Sequence, residues 1–246
     1  VKFCEQPILE KDISISGCVI VGARFDPGLL SPACIARSGI ALPAGIQRAR
    51  PVRQAEFIAG RLCAGKALEM LVGHASVPPQ GADRAPQWPA AVCGSITHNR
   101  HRALAMVARR EDYLAVGIDI ETWLDDRQSD ELAGEILTGS ERMRLQQLPV
   151  EQRARLLTLT FSLKESLYKA LYPLTGTPFY FEHAELSEWR ANGQARLRLL
   201  CDLSEDFPAH SEIAGRFQPM EDDLLSYVAI PWQKPGACGR SGPCPR

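Results

Sequence analysis

Three carboxylates and two lysines fall in two short segments, Val116-Gly117-Ile118-Asp119-Ile120-Glu121 and Phe161-Ser162-Leu163-Lys164-Glu165-Ser166-Leu167-Tyr168-Lys169. In the first, Val116, Ile118 and Ile120 alternate with Gly117, Asp119 and Glu121. A strand of that pattern fills one face with aliphatics and projects both acids from the other, ~7 Å apart at the ~3.3 Å rise per residue. In the second segment Phe161, Glu165 and Lys169 recur every four residues, one stripe of a helix, while Leu163, Leu167, Ala170 and Leu171 form a separate apolar stripe. Taken singly, each segment has a plain structural account. A D-x-E pair can be the solvent face of an edge strand, and a Glu165–Lys169 ion pair on an exposed helix contributes about 0.3–0.5 kcal/mol. Two like charges on one strand face repel, however, and a hard cation bound with phosphate oxygens between acid and base reconciles them.

The elements that must position these residues can be read coarsely. Ile13, Ile15, Cys18, Ile20 and Val21 predict a first strand, followed by a Gly/Pro-punctuated stretch from Pro27 to Gly45. Pro51, a residue favoured at the first helical position, opens a helix through Ala55, Ile58, Leu62 and Leu68 to about Gly73. After a Pro-rich loop from Pro78 to Pro89 come strand patterns at 91–96, 103–108 and 113–120, the last two joined as a hairpin by Arg109-Arg110-Glu111-Asp112. Residues 129–148 predict two short helices broken at Thr138-Gly139, with Ser140 placed to cap the second. A long helix from about Glu151 to Leu171 ends at Pro173, and strands are expected at 183–189, 195–201 and 225–230.

Helix followed by three strands therefore occurs twice. The expected fold is α+β: two similar lobes, 1–122 and 123–233, each a helix on a small, mainly antiparallel sheet. The lobes would be related by a pseudo-twofold axis, with the ligand in the cleft between them. Residues 234–246, rich in Gly and Pro, are expected to be a disordered tail.

Composition narrows the function classes. With 28 Lys plus Arg against 29 Asp plus Glu, the chain has no broad phosphate-tracking surface, so nucleic acid is not an expected partner and any anion site must be local. No apolar run reaches the ~20 residues that span a bilayer, and the amino end lacks a basic region followed by an apolar one. The expectation is a soluble, cytoplasmic monomer without membrane association. Cys4, Cys18, Cys34, Cys63, Cys93 and Cys201 are scattered among apolar neighbours without C-x-x-C or zinc-type spacing, as buried thiols would be.

Joint identity of the two segments adds what spacing cannot. V-G-I-D-I-E together with F-S-x-K-E-S-x-x-K resembles the signature pair of the 4′-phosphopantetheinyl transferases. Two further stretches, Arg53-Gln54-Ala55-Glu56-Phe57-Ile58-Ala59-Gly60-Arg61 and Gly94-Ser95-Ile96-Thr97-His98, resemble the enterobactin synthetase component D branch, which includes broad-specificity pseudomonad enzymes. The resemblance covers about Arg53 to Lys169. It implies that Asp119, Glu121 and Glu165 hold Mg²⁺ against the pyrophosphate of coenzyme A, with Lys164 and Lys169 facing phosphates and pantetheine. Arg53, Arg61 and His98 would contact the nucleotide's phosphate groups, against the plain reading of Arg53 and Arg61 as a solvated helix face and His98 as a surface histidine. A carboxylate or a metal-bound water would take the proton of the nucleophile, with Glu165 the first choice and the division between metal ligand and base left open; Lys169 would offset charge on the transferring phosphoryl, and Glu141 by family position could assist the nucleophile, its plain role being to complement a helix dipole. The implied reaction transfers 4′-phosphopantetheine from coenzyme A to a serine of an acyl or peptidyl carrier protein. A metal-dependent phosphohydrolase of a nucleotide pyrophosphate and a non-catalytic coenzyme A-binding module are the competing readings. Which carrier protein is the client stays open.

Overall fold

The computed structural model describes residues 3–11, 13 and 15–232; the tail expected at 234–246, with Cys238 and Cys244, lies outside the described residues. In chain order the elements are β1 (Ile8–Leu9), β2 (Cys18–Arg24), α1 (Pro32–Ser38), α2 (Ala44–Gln47), α3 (Pro51–Val72), β3 (Val92–His98), β4 (Arg102–Arg109), β5 (Tyr113–Thr122), α4 (Asp126–Ile136), α5 (Gly139–Gln146), α6 (Val150–Thr175), β6 (Ala184–Trp189), β7 (Gln194–Leu199), β8 (Glu212–Met220) and β9 (Asp223–Pro231). They build two antiparallel sheets, β1-β2-β4-β3 and β5-β9-β8-β7-β6, so the α+β class and the two-lobed arrangement are both present. The connectivity repeats as well. In each sheet a strand leads into a long helix, α3 or α6, and that strand then pairs antiparallel with the last strand of its unit, β4 or β9.

Each long helix packs on its sheet through residues chosen for close approach. Helix α3 presents Ala55, Ala59, Gly60, Cys63, Ala64 and Ala67 to a sheet carrying Ala103 and Ala105, all of them buried. A side chain at Gly60 would sit 2.8 Å from Ile96. The second lobe is a leucine core in which Leu157, Leu163, Leu167 and Leu171 of α6 meet Leu186 and Leu197. A third cluster joins the lobes: Ile20, Leu104 and Met106 of the first sheet pack on Val116, Ile118, Ile120 and Leu225 of the second. The aliphatic face of β5 is therefore the seam, and its acid-bearing face looks toward α6.

Several local expectations are corrected. The hairpin between 103–108 and 113–120 does not form: the turn exists, with Asp112 N–H donating to the Arg109 carbonyl, but β4 and β5 enter different sheets. Strand β5, expected to close the first lobe, runs beside β9 from Tyr113 to Thr122, because pairing there leaves its apolar face free for the first sheet. Strand β8 was not expected; it contains Gly215 and Pro219, residues unfavourable inside strands. Gly215 is required there, as an added Cβ would lie 2.9 Å from Leu163 and 3.2 Å from Leu197. Thr138, not Ser140, caps α5, in a reciprocal box with Glu141. Pro173 lies inside the last turn of α6, which ends instead at Gly176 in the left-handed region, φ +67°. Cys4, Cys34, Cys63 and Cys93 are free and buried, as expected for apolar thiols, whereas Cys18 and Cys201 are free but only part-buried. Among the described residues no helix is long and apolar enough to cross a membrane.

Gly117 sets the distance between β5 and α6. A Cβ there would stand 2.0 Å from the Ser166 carbonyl oxygen and 2.8 Å from the Ala170 nitrogen, which is backbone on both counts and cannot rotate away. Gly117→Ala is expected to lower stability by about 3 kcal/mol or more, read as a drop in the urea midpoint; an unchanged midpoint would show that the helix yields freely.

Candidate functional site

Asp119 lies at the centre of the β5–α6 contact and is 2% exposed. One of its oxygens accepts from Lys169 Nζ at 2.6 Å and from Thr97 Oγ1 at 3.1 Å; the other accepts from Ser162 Oγ at 2.9 Å. Ser162 continues to Ser226 at 2.8 Å, and Ser166 meets Ser226 at the same distance, so a buried chain of hydroxyls knits α6 to β9 beneath the acid. Burial alone would lower the Lys169 pKa, but Asp119 and Glu165 together hold it above the ordinary lysine value.

Glu121 and Glu165 stand beside this pair, and neither has a hydrogen-bond or ion-pair partner within reach among the described residues. Burial, reinforced by the charge of Asp119 and opposed by Lys169, pushes the Glu121 carboxyl up to about 8. The Glu165 carboxyl is raised too, by burial first, with Lys169 opposing and Asp119 adding. Among the described residues no three of His, Cys, Asp and Glu converge closely enough to grip an ion. The reason is visible in Asp119, whose oxygens are turned to Lys169, Thr97 and Ser162.

Across the seam, the first lobe contributes Arg53, Arg61 and His98. Arg53 Nη1 lies 3.0 Å from Glu56 Oε2 and 2.7 Å from His98 Nε2. A guanidinium can only donate, so Nε2 accepts and the ring proton sits on Nδ1, which faces Glu56 at 3.7 Å. Burial brings the His98 pKa down to about 4, Glu56 opposing and Arg53 adding, so the ring is neutral at pH 7. Arg61 is 5% exposed, stacks over the Phe57 ring at 4.7 Å and leaves a buried Nε without a hydrogen-bond partner. Burial, then Arg53, lowers its pKa to about 10, which keeps it charged at neutral pH. The pairing of Arg53 and His98 through Glu56 was not visible in the sequence; Glu56 reads as one more polar position on an exposed helix turn. Thr97, Ser162 and Ser226 were missed also, because nothing in a single hydroxyl marks which carboxylate it will meet.

Two sequence-predicted site residues are not at this centre. Lys164 and Glu141 meet each other at 2.7 Å inside the second lobe, both side chains 2% exposed. Lys164 spends its remaining donors on the carbonyls of Ile136 at 2.8 Å and Phe181 at 2.9 Å. Glu141 accepts from the backbone N–H groups of Thr138 and Leu186 as well. An ammonium with three protein acceptors has none to offer a phosphate. This ion pair ties α4, α5, α6 and β6 together behind the site. Beside it, Lys164, Glu165, Tyr168, Phe179, Tyr180, Phe181 and Ala184 line a largely apolar pocket of about 210 Å³ with the Glu165 carboxylate on its wall.

The geometry thus offers desolvated carboxylates around one lysine, an arginine–histidine group on the facing lobe and an apolar pocket adjoining: equipment for a ligand with phosphates and a long flexible arm. Comparison with known proteins agrees. The family model of the 4′-phosphopantetheinyl transferase N-terminal domain matches residues 42–108 and that of the 4′-phosphopantetheinyl transferase superfamily matches residues 115–222. The 4′-phosphopantetheinyl transferase PptT of Mycobacterium tuberculosis is 34% identical over 198 residues, covering 75% of this chain and 82% of that protein. Enterobactin synthase component D of Salmonella typhimurium is 43% identical over 120 residues, 48% of each chain. The 4′-phosphopantetheinyl transferase Svp of Streptomyces mobaraensis is 38% identical over 162 residues, 64% of this chain and 63% of that one. The chain spans about half the length of the enterobactin synthase relative. It belongs to the 4′-phosphopantetheinyl transferase superfamily.

Because Lys164 and Glu141 are buried partners, Lys164→Met and Glu141→Leu are each expected to cost about 3–5 kcal/mol in urea unfolding. The double variant should lose markedly less than the sum; strictly additive losses would show that the two do not act as a pair.

Proposed function

We propose that the protein transfers 4′-phosphopantetheine from coenzyme A to a serine hydroxyl of an apo acyl or peptidyl carrier protein. The serine oxygen forms a bond to the β-phosphorus, the pyrophosphate bridge breaks, and 3′,5′-ADP leaves. One observation carries the reading: Glu121 and Glu165 sit desolvated and without hydrogen bonds beside Asp119–Lys169, and His98 of the first lobe, paired with Arg53, lies within electrostatic reach of both members of that ion pair.

The carboxylates are not arranged to grip an ion while Asp119 is turned to Lys169, Thr97 and Ser162; the raised pKa values of Glu121 and Glu165 support Mg²⁺ nonetheless, since buried neighbouring carboxylates repel one another until a hard cation or a proton joins them. Asp119, Glu121 and Glu165 would hold it, and bound there it would offset the charge of the pyrophosphate during transfer. Arg61, charged and with an unused buried Nε–H, and Arg53 suit the nucleotide's phosphates; guanidinium groups bind phosphate oxygens through paired donors. His98, neutral with its proton on Nδ1, adds a donor without charge. Lys169 counters charge developing on the transferring phosphoryl group. Glu165, free of hydrogen bonds, would take the serine proton. The apolar pocket on its flank suits the pantetheine arm, and Tyr168, a packing residue by sequence, would line it. Lys164 lines that pocket and is held there by Glu141, so both would serve the site by position.

Incubation with coenzyme A, Mg²⁺ and a panel of apo carrier proteins, read by intact mass, should add one phosphopantetheine to at least one carrier, and Glu165→Gln should reduce the rate by at least about a hundredfold. Consumption of coenzyme A with no carrier present would favour a phosphohydrolase instead. A second expectation concerns pH. The folded chain keeps the Glu121 proton up to about 8, whereas the unfolded chain loses it near the ordinary value of 4.5. Stability of the metal-free protein should therefore fall as pH rises between those values, and Glu121→Gln should flatten the fall. Added Mg²⁺ should raise the thermal midpoint more at pH 8 than at pH 5, because the cation competes with that proton; an equal effect at both would remove Glu121 from the metal site.

A further inference from the structure

The two halves of the site are carried by different lobes, and a polar cluster at the rim of the seam joins the residues that immediately follow each half. Asn99 follows His98, and Thr122 follows Glu121. Asn99 Nδ2 donates to Asp223 Oδ1 at 2.8 Å and to Thr122 Oγ1 at 3.3 Å, while Thr122 Oγ1 donates to the same Asp223 oxygen at 3.0 Å. The other end of the Asn99 amide is used as well: Oδ1 accepts from the backbone of His101 at 3.1 Å and Arg102 at 2.9 Å, which fixes the β3–β4 turn. Arg102, only 11% exposed, reaches across to Asp223 at 3.5 Å and Glu221 at 3.1 Å, and Arg24 of β2 pairs with Glu221 too. Glu221 holds a left-handed backbone, φ +57°, at the tip of the β8–β9 turn, a conformation that costs a residue with a long side chain and is tolerated where its surroundings hold it. Here its carboxylate is held by two arginines of the opposite lobe. The apolar seam of Ile20, Leu104, Met106, Ile118 and Ile120 gives contact without direction, and hydrogen bonds give a fixed register.

We propose that Asn99, Arg102, Thr122 and Asp223 are positioning residues forming an interlobe clamp that holds His98 and Glu121 at the separation a ligand spanning both lobes requires. The proposal rests on the two-lobed ligand site described above and adds a determinant of its affinity. When the clamp is broken the lobes sample other relative positions, the competent arrangement becomes a fraction of the population, and apparent affinity falls by that fraction. A ligand that bridges the lobes restores the arrangement once bound, so turnover of the saturated enzyme is kept.

The test uses the full chain. Asn99→Ala and Asp223→Ala should each raise KM for coenzyme A about tenfold, with kcat within about twofold of the parent. Asp223→Asn keeps an acceptor for Asn99 and Thr122 and should recover part of that loss. The double alanine variant should be no worse than either single, as expected of residues acting in one unit. Amide hydrogen exchange on the same variants, which needs no activity, should show Asn99→Ala speeding exchange at residues 221–224 of the other lobe as well as at 99–102. Unchanged KM, a fall in kcat at unchanged KM, additive losses, or exchange changes confined to 99–102 would each overturn the clamp. Absence of transfer by the parent enzyme would instead remove the proposed function, and the exchange result would still decide the clamp.

Discussion

The ion pair between Asp119 and Lys169 is the interaction on which the rest of the site depends. It spans β5 and α6 at 2.6 Å, and it exists because Gly117, two residues before the acid, lets the helix backbone come against the strand. Any other residue at 117 would hold α6 away and leave both charges short of a partner. The carboxylate is nearly fully buried and its oxygens are also committed to Ser162 and Thr97, which is how a desolvated charge is made tolerable. That commitment fixes the Asp119 carboxylate in place, whereas Glu121 and Glu165 make no such hydrogen bonds. Glu121 and Glu165 are buried beside the pair without its hydrogen bonds, and that burial is the first cause of their raised pKa values.

Strand β5 is the mechanical centre of the molecule. Its backbone belongs to the second sheet, one face belongs to the apolar seam with the first lobe, and the other face carries the acids. A period-two pattern on one strand therefore couples lobe docking to site chemistry, since anything that shifts the seam shifts Asp119 and Glu121 as well. Hydrophobic contact at the seam favours association of the lobes without fixing their register. The rim cluster around Asp223 supplies direction, because donors and acceptors from the β3–β4 turn and from the ends of β4, β5 and β9 must align at once.

Much of this was legible from residue order. The alternation at 116–121, the helical stripe at 161–171 and the opening of α3 at Pro51 are local signals, and local physics realises them; the order of a helix and three strands read twice holds only in part, since four strands follow α6 and β5 joins the second sheet. Elements whose local signal is weak were lost. Strand β8 carries Gly215 and Pro219, which speak against a strand until Leu163 and Leu197 are seen pressing on the glycine. The β4–β5 hairpin failed for the opposite reason: the turn chemistry is present, but burying the aliphatic face of β5 between the sheets outweighs pairing with its sequence neighbour.

The sequence by itself determined which residues carry charge, which faces of β5 and α6 they occupy, and through its motif pair the family to which the chain belongs. Tertiary structure alone decided what each charge meets. Lys164 and Lys169, five residues apart on one helix, look equivalent in sequence; the helical rotation between them sends one into the second core against Glu141 and the other to Asp119 at the seam. Partnership between charges depends on distances of a few ångströms across chain separations of 23 and 50 residues, and spacing along a chain does not encode those distances.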